Sequence, residues 1–137
     1  MLASSTNILT VFNRLINKNS FVIPIKINEK NVKTKTLIDS GAGDKFIDQN
    51  YAQTLTLLLQ NLTKPIPALN VDGTLNKKET IKHYVNLDLD IFGQTQTIRL
   101  LITSLGKRKM ILGFPWLQKY NPIINWKTRT FEWQHTP

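Results

Sequence analysis

From Phe21 onward apolar residues fall at every second position. Ile23, Ile25 and Ile27 alternate with Pro24 and Lys26, the period of a half-buried strand, and Pro24 marks it as an edge. A turn at Asn28 to Asn31 leads into a returning strand from Val32 to Ile38, with Lys33 and Lys35 on one face. After a polar break, Lys45 to Ile47 reads as a short strand, and Asp48 is placed to cap a helix over Gln49 to Leu58. Pro65 and Pro67 mark an extended segment running to Val71, and Asp72-Gly73 is a strong hairpin-turn signal. Alternation then resumes over a long run, Ile81, His83, Val85, Leu87, Leu89 and Ile91, which Phe92, Gly93 and Gln94 turn back into Thr95 to Thr103. Met110 to Leu112 is an apolar strand stopped by Gly113. Pro115 suits the first turn of a short helix through Tyr120, and Asn121-Pro122 ends it. A last hairpin pairs Ile123 to Trp126 with Thr130 to Trp133, and Ile8 to Ile16 has helical spacing, with Ser5, Thr6 or Asn7 as a cap. Many short strands, frequent turns and only short helices predict a mainly β domain, closed or sandwiched.

Composition narrows the chemistry. At 137 residues and 41% hydrophobic, the chain holds one core-forming domain, which we place at residues 20–137, after an N-terminal extension or linker at 1–19. There are no cysteines, which excludes disulfides, cysteine nucleophiles and thiolate zinc sites and fits an intracellular protein. His83 and His135 lack a spaced partner, so no metal site is expected; the first reads as a packed strand residue and the second as part of the tail. The stretch around Ile8, Val11, Phe12 and Leu15 is broken by Asn13 and Arg14 and reads as neither a signal peptide nor a membrane span. Lys and Arg outnumber Asp and Glu by 18 to 9, but the cations are scattered and the densest run, Lys107, Arg108 and Lys109, has no interleaved aromatics. The charge is read as solvated surface rather than as a dedicated nucleic-acid site. Trp116, Trp126 and Trp133 are read as packing residues.

One stretch asks for more than a fold. In LIDSGAGDKFID, Asp39 ends an apolar strand and is followed at once by Ser40, Gly41, Ala42 and Gly43, with Phe46 and Ile47 leading back toward a core. An ordinary turn acid is one reading. The apolar flanks favour another, an acid held near the core for chemistry. The motif Asp39-Ser40-Gly41-Ala42 resembles the catalytic loop of retroviral-type aspartic proteases, and Ile111-Leu112-Gly113 before a short helix resembles that family's second signature. The continuation FPWLQKYNPIINW is more similar to proteases of gypsy-type LTR retrotransposons than to those of retroviruses. The resemblance extends from about Phe21 to Trp133.

That resemblance implies an all-β, retropepsin-like closed barrel with one or two short helices, working as a homodimer. Asp39 would be the catalytic carboxylate, Ser40 would brace the two loops across the dimer, and Gly41 would let the substrate backbone approach. Ala42 and Gly43 would line the substrate path. Val71, Asp72, Gly73 and Thr74 would form the flap that closes over the peptide. Ile111, Leu112 and Gly113 would support the catalytic loop from below. Two departures stand out: Gly43 sits where retroviral enzymes often have an acid, and the Arg-Asp pair after the second-signature glycine is absent.

The implied chemistry is sound on its own terms. Two adjacent carboxyls share one proton because like charges so close cannot both ionise, so one activates water while the other protonates the carbonyl oxygen. The chain offers a single matching loop, and a two-fold dimer supplies the second Asp39. The expected function is cleavage of a retrotransposon polyprotein, with no cofactor and no membrane, in the cytoplasm or within virus-like particles. The competing readings are a catalytically silent, domesticated dimerisation or peptide-binding module and a basic nucleic-acid binder.

Overall fold

The computed structural model describes residues 20–69 and 75–134, with the backbone alone at 68–69 and 75–79. The helix expected at Ile8 to Ile16 and the turn at Val71 to Thr74 lie outside the described residues. Among those described, nine strands and two helices follow in the order β1 (Ser20–Ile27), β2 (Val32–Asp39), β3 (Lys45–Asp48), α1 (Gln49–Thr54), β4 (Gln60–Leu69), β5 (Leu75–Ile91), β6 (Gln94–Thr103), β7 (Met110–Leu112), α2 (Phe114–Tyr120), β8 (Ile123–Asn125) and β9 (Thr130–Glu132). No helix among the described residues is long and apolar enough to cross a membrane.

The main sheet runs β1-β2-β7-β3-β6-β5-β4, and β1 also pairs with β5 through Lys26↔Asp90 and Ile27↔Leu89. That contact closes six strands into a barrel and leaves β4 as an appended edge. Closure removes the free edges that an open sheet would expose. Pro24 lies opposite Lys35 of β2, outside the short stretch of β1 that meets β5, so its missing N–H costs the sheet no ladder bond there. Pro65 and Pro67 both fall on β4, beside register shifts between Asn61 and Ile66 and between Pro67 and Ala68. Edge strands and bulges are where a sheet tolerates proline.

The alternating residues become the interior. Ile23, Ile25, Ile27, Val85, Leu87, Leu89, Ile91, Ile98 and Leu100 join Met110, Leu112 and Trp116 in one buried cluster. The three tryptophans pack as expected. Trp116 is 1% exposed, stacks near Phe131 and donates its Nε1–H to Gln96 Oε1 at 2.8 Å, while Trp133 donates to the Ile91 carbonyl. Trp126 meets the Phe21 ring edge-on at 5.4 Å. The β8–β9 hairpin is thereby stapled to the barrel by aromatic contacts. His83 shares the inward face of β5 but is only half-buried.

The end of α1 differs from the expectation. The helix predicted to reach Leu58 stops at Thr54. Thr56 takes a left-handed backbone angle, φ 54°, while Thr56 N–H bonds the Gln53 carbonyl and Leu57 N–H the Ala52 carbonyl. This is a Schellman stop built on threonine instead of glycine, and it carries Leu57 back toward the core. Nothing in the apolar spacing of Leu55, Leu57 and Leu58 announces it.

Candidate functional site

Three short strands build the site. β7 is inserted between β2 and β3: it runs parallel to β2, with Leu37↔Ile111 and Ile38↔Leu112, and antiparallel to β3, with Phe46↔Ile111 and Lys45↔Leu112. The segment from Ser40 to Asp44 joins β2 to β3 and so must arch over the end of β7. Gly113 sits under that arch. A Cβ there would lie 2.5 Å from the Ala42 carbonyl oxygen and closer still to that of Asp44. Gly113 itself is extended, φ −95° and ψ −164°, so the glycine is required for space and not for backbone angle. Phe114 N–H donates to the Ala42 carbonyl at 2.9 Å, tying the start of α2 to the same arch.

Asp39 ends β2 and is 1% exposed. Its Oδ1 accepts from Gly41 N–H at 2.8 Å, and its carbonyl accepts from Ala42 N–H at 3.0 Å, a double tie that fixes the carboxyl relative to its own loop. The first bond is one that any Asx turn makes. Near-complete burial is what a surface turn acid would not show, because a carboxylate out of water is costly. Ser40, Gly41 and Gly43 are half-buried and Ala42 is fully buried.

Ala42 belongs to a second buried cluster with Leu37, Phe46, Ile81, Leu101, Leu105 and Ile111. The arch, the strand beneath it and β5 therefore share one small core. β4 and β5 are paired through Ala68↔Asn76 and Leu69↔Leu75. The structure thus brings together Asp39 to Gly43 and Ile111 to Gly113, while Val71, Asp72, Gly73 and Thr74 lie outside the described residues.

A cleft of about 630 Å³ lies elsewhere, between α1 and β5, lined by residues including Gln49, Gln53, Leu57, Lys82 and His83. None of the described candidate residues lines it. No group of His, Asp and Glu suited to a metal ion occurs among the described residues.

Asp48 has a larger part than its sequence position suggests. As expected, it caps α1, its Oδ2 accepting from Tyr51 N–H at 3.1 Å. Its Oδ1 also accepts from the buried Leu105 N–H at 2.9 Å, and its own N–H donates to the Lys109 carbonyl at 2.8 Å. One residue thus holds both ends of the loop between β6 and β7. The cap was readable from Asp48 preceding a helical run; the reach to a loop 57 positions away was not.

The model of the PEG10/RTL1 protease domain family matches residues 35–136. Among solved structures, the retroviral protease-like domain of Ddi1 from Leishmania major is 15% identical, with 82% of this chain and 85% of that one covered and a TM-score of 0.57. The EIAV protease complexed with the inhibitor HBY-793 is 16% identical, with 77% of this chain and 92% of that one covered and a TM-score of 0.56. At such identities these two structures speak for the fold.

Proposed function

Because the chain belongs to the PEG10/RTL1 protease domain family and has a retropepsin-like fold, we propose that it is an aspartic endopeptidase working as a two-fold homodimer. The observation that carries this reading is Asp39: a carboxyl almost wholly withdrawn from water, anchored by Gly41 N–H, at the end of a strand wedged against β7.

Each protomer contributes one Asp39. Across the two-fold axis the pair holds a single proton, so one carboxylate takes a proton from water as the other gives one to the scissile carbonyl oxygen. Ser40 steadies the facing loops, and Gly41, Ala42 and Gly43 leave room for the substrate backbone. Val71, Asp72, Gly73 and Thr74 close over the peptide and exclude bulk water. Ile111 and Leu112 supply the floor strand, and Gly113 lets the arch settle on it. The substrate we assign is the polyprotein of a gypsy-type LTR retrotransposon, cleaved inside the cell.

The test is incubation with a peptide library at mildly acidic pH, with and without pepstatin, for the wild-type chain and for Asp39→Asn. The substitution keeps the side-chain shape and removes its ability to accept a proton. Cleavage should be blocked by pepstatin and should fall to background in a variant that still unfolds cooperatively. Undiminished cleavage by folded Asp39→Asn would remove Asp39 from the mechanism. A folded wild-type chain that binds pepstatin but cuts nothing would instead support the catalytically silent module.

A further inference from the structure

A groove of about 440 Å³ runs between β2 and the loop joining β6 to β7, and it is unusually basic. Among the described residues, Lys33, Lys35, Lys107, Arg108 and Lys109 line it, and no acidic residue does. None of these five forms an ion pair with a described carboxylate; Lys45 with Asp44 does. Lys109 rests over the Tyr51 ring at 5.1 Å; the other four have no such contact among the described residues.

The same groove exposes backbone. β1 pairs with β2 along its whole length, but β7 reaches only Leu37 and Ile38. Residues 33–36 therefore have a backbone edge with no strand partner among the described residues, beside the loop that carries Lys107 to Lys109. Thr34 and Thr36, which also line the groove, are 8% and 0% exposed, and their hydroxyls have no hydrogen-bond partner among the described residues. Buried polar groups of this kind ordinarily have partners.

We propose that this groove binds an acidic polypeptide segment in extended form, added as a strand to the free edge of β2, with its carboxylates between the β2 lysines and the basic loop. Strand addition uses the unpaired backbone groups, and the cations select the side chains. Among the described residues no aromatic side chain lines the groove, so these offer no platform for stacking bases. That the bound segment is part of the substrate rests on the catalytic reading: the groove ends at Leu37, two positions before Asp39 on the same strand.

The test measures binding apart from turnover. The full chain carrying Asp39→Asn is titrated with a labelled peptide of alternating Glu and Val, with its Gln counterpart, with an N-methylated form, and with an oligouridylate of equal charge. At low salt the Glu peptide should bind roughly tenfold more tightly than the Gln peptide. Lys33→Ser, Lys35→Ser and Lys107→Ser together should abolish that difference, arginine at the same positions should keep it, and N-methylation should weaken binding. Equal affinity for the Glu and Gln peptides, indifference to the triple serine change, or tighter binding of the oligouridylate would overturn the proposal. Charge-dependent peptide binding without cleavage by the wild-type chain would leave the groove standing and bring down the catalytic reading.

Discussion

Gly113 is the residue on which the arch depends most directly. Its missing Cβ is the space occupied by the carbonyls of Ala42 and Asp44, both backbone groups that cannot swing aside as a side chain would. Gly113→Ala should therefore lower stability by about 2 to 3 kcal/mol, the scale of overpacking in a tight interior, and urea denaturation with an unchanged slope would show it. Asp48 invites a second measurement. Asp48→Ala removes a helix cap and strands the buried Leu105 N–H, so a loss of about 2 kcal/mol or more is expected. Asp48→Asn, which keeps one acceptor oxygen, should fall between. A loss no larger than that of an ordinary surface cap would mean the Leu105 bond contributes nothing. These two residues also mark how far single positions were legible. The glycine after two apolar residues could be singled out, but that its role is steric and not conformational follows only from what packs over it.

At the scale of elements, period two was the readable signal. β1, the described side chains of β5 and the first half of β6 alternate between a buried face and a more exposed one, so their alternation is written into side-chain chemistry. β7 has three residues, all buried, and an all-apolar triplet has no phase from which to infer neighbours. Its insertion between β2 and β3 was therefore invisible to periodicity; the closed barrel was expected from the family resemblance, but not that two residue pairs at the end of β1 would close it. The end of α1 was misjudged for a related reason: threonine at a left-handed position disobeys the preference for glycine on which such stops are normally recognised. The same disobedience can be measured. Thr56→Gly should relieve the unfavourable backbone angle of a β-branched residue and raise stability by about 1 kcal/mol, with no change in peptide binding. A drop in thermal midpoint would show that the Thr56 side chain makes contributions outweighing its strain.

For the whole molecule the decisive quantity is the assembly of two chains. If each supplies one Asp39, specific activity should fall on dilution, since dissociation dismantles the site. Mixing wild-type chains with an excess of Asp39→Ala chains, and allowing exchange, should pull activity below the wild-type fraction alone, because a heterodimer holds a single carboxyl. Activity that tracks the wild-type amount despite demonstrated exchange would rule out a shared site. The pH profile belongs to this scale as well, since it is a property of the pair. Toward low pH both carboxyls gain protons and the base is lost; toward high pH both lose them and the acid is lost. A bell with its maximum on the acidic side of neutrality follows, and a rate still climbing at alkaline pH would point to another base.

The insertion of β7 also sets a schedule for the newborn chain. β2 and β3 are made early and are joined by only five residues, yet they flank a strand that leaves the ribosome more than sixty residues later. Until Met110 to Gly113 emerge, the arch has nothing to rest on, and the loop entropy of holding it open has no compensating contact. The acid is thus synthesised long before it can be positioned. If the proposed dimeric protease reading holds, cutting would be deferred until nearly the whole domain has been made and has met a second copy.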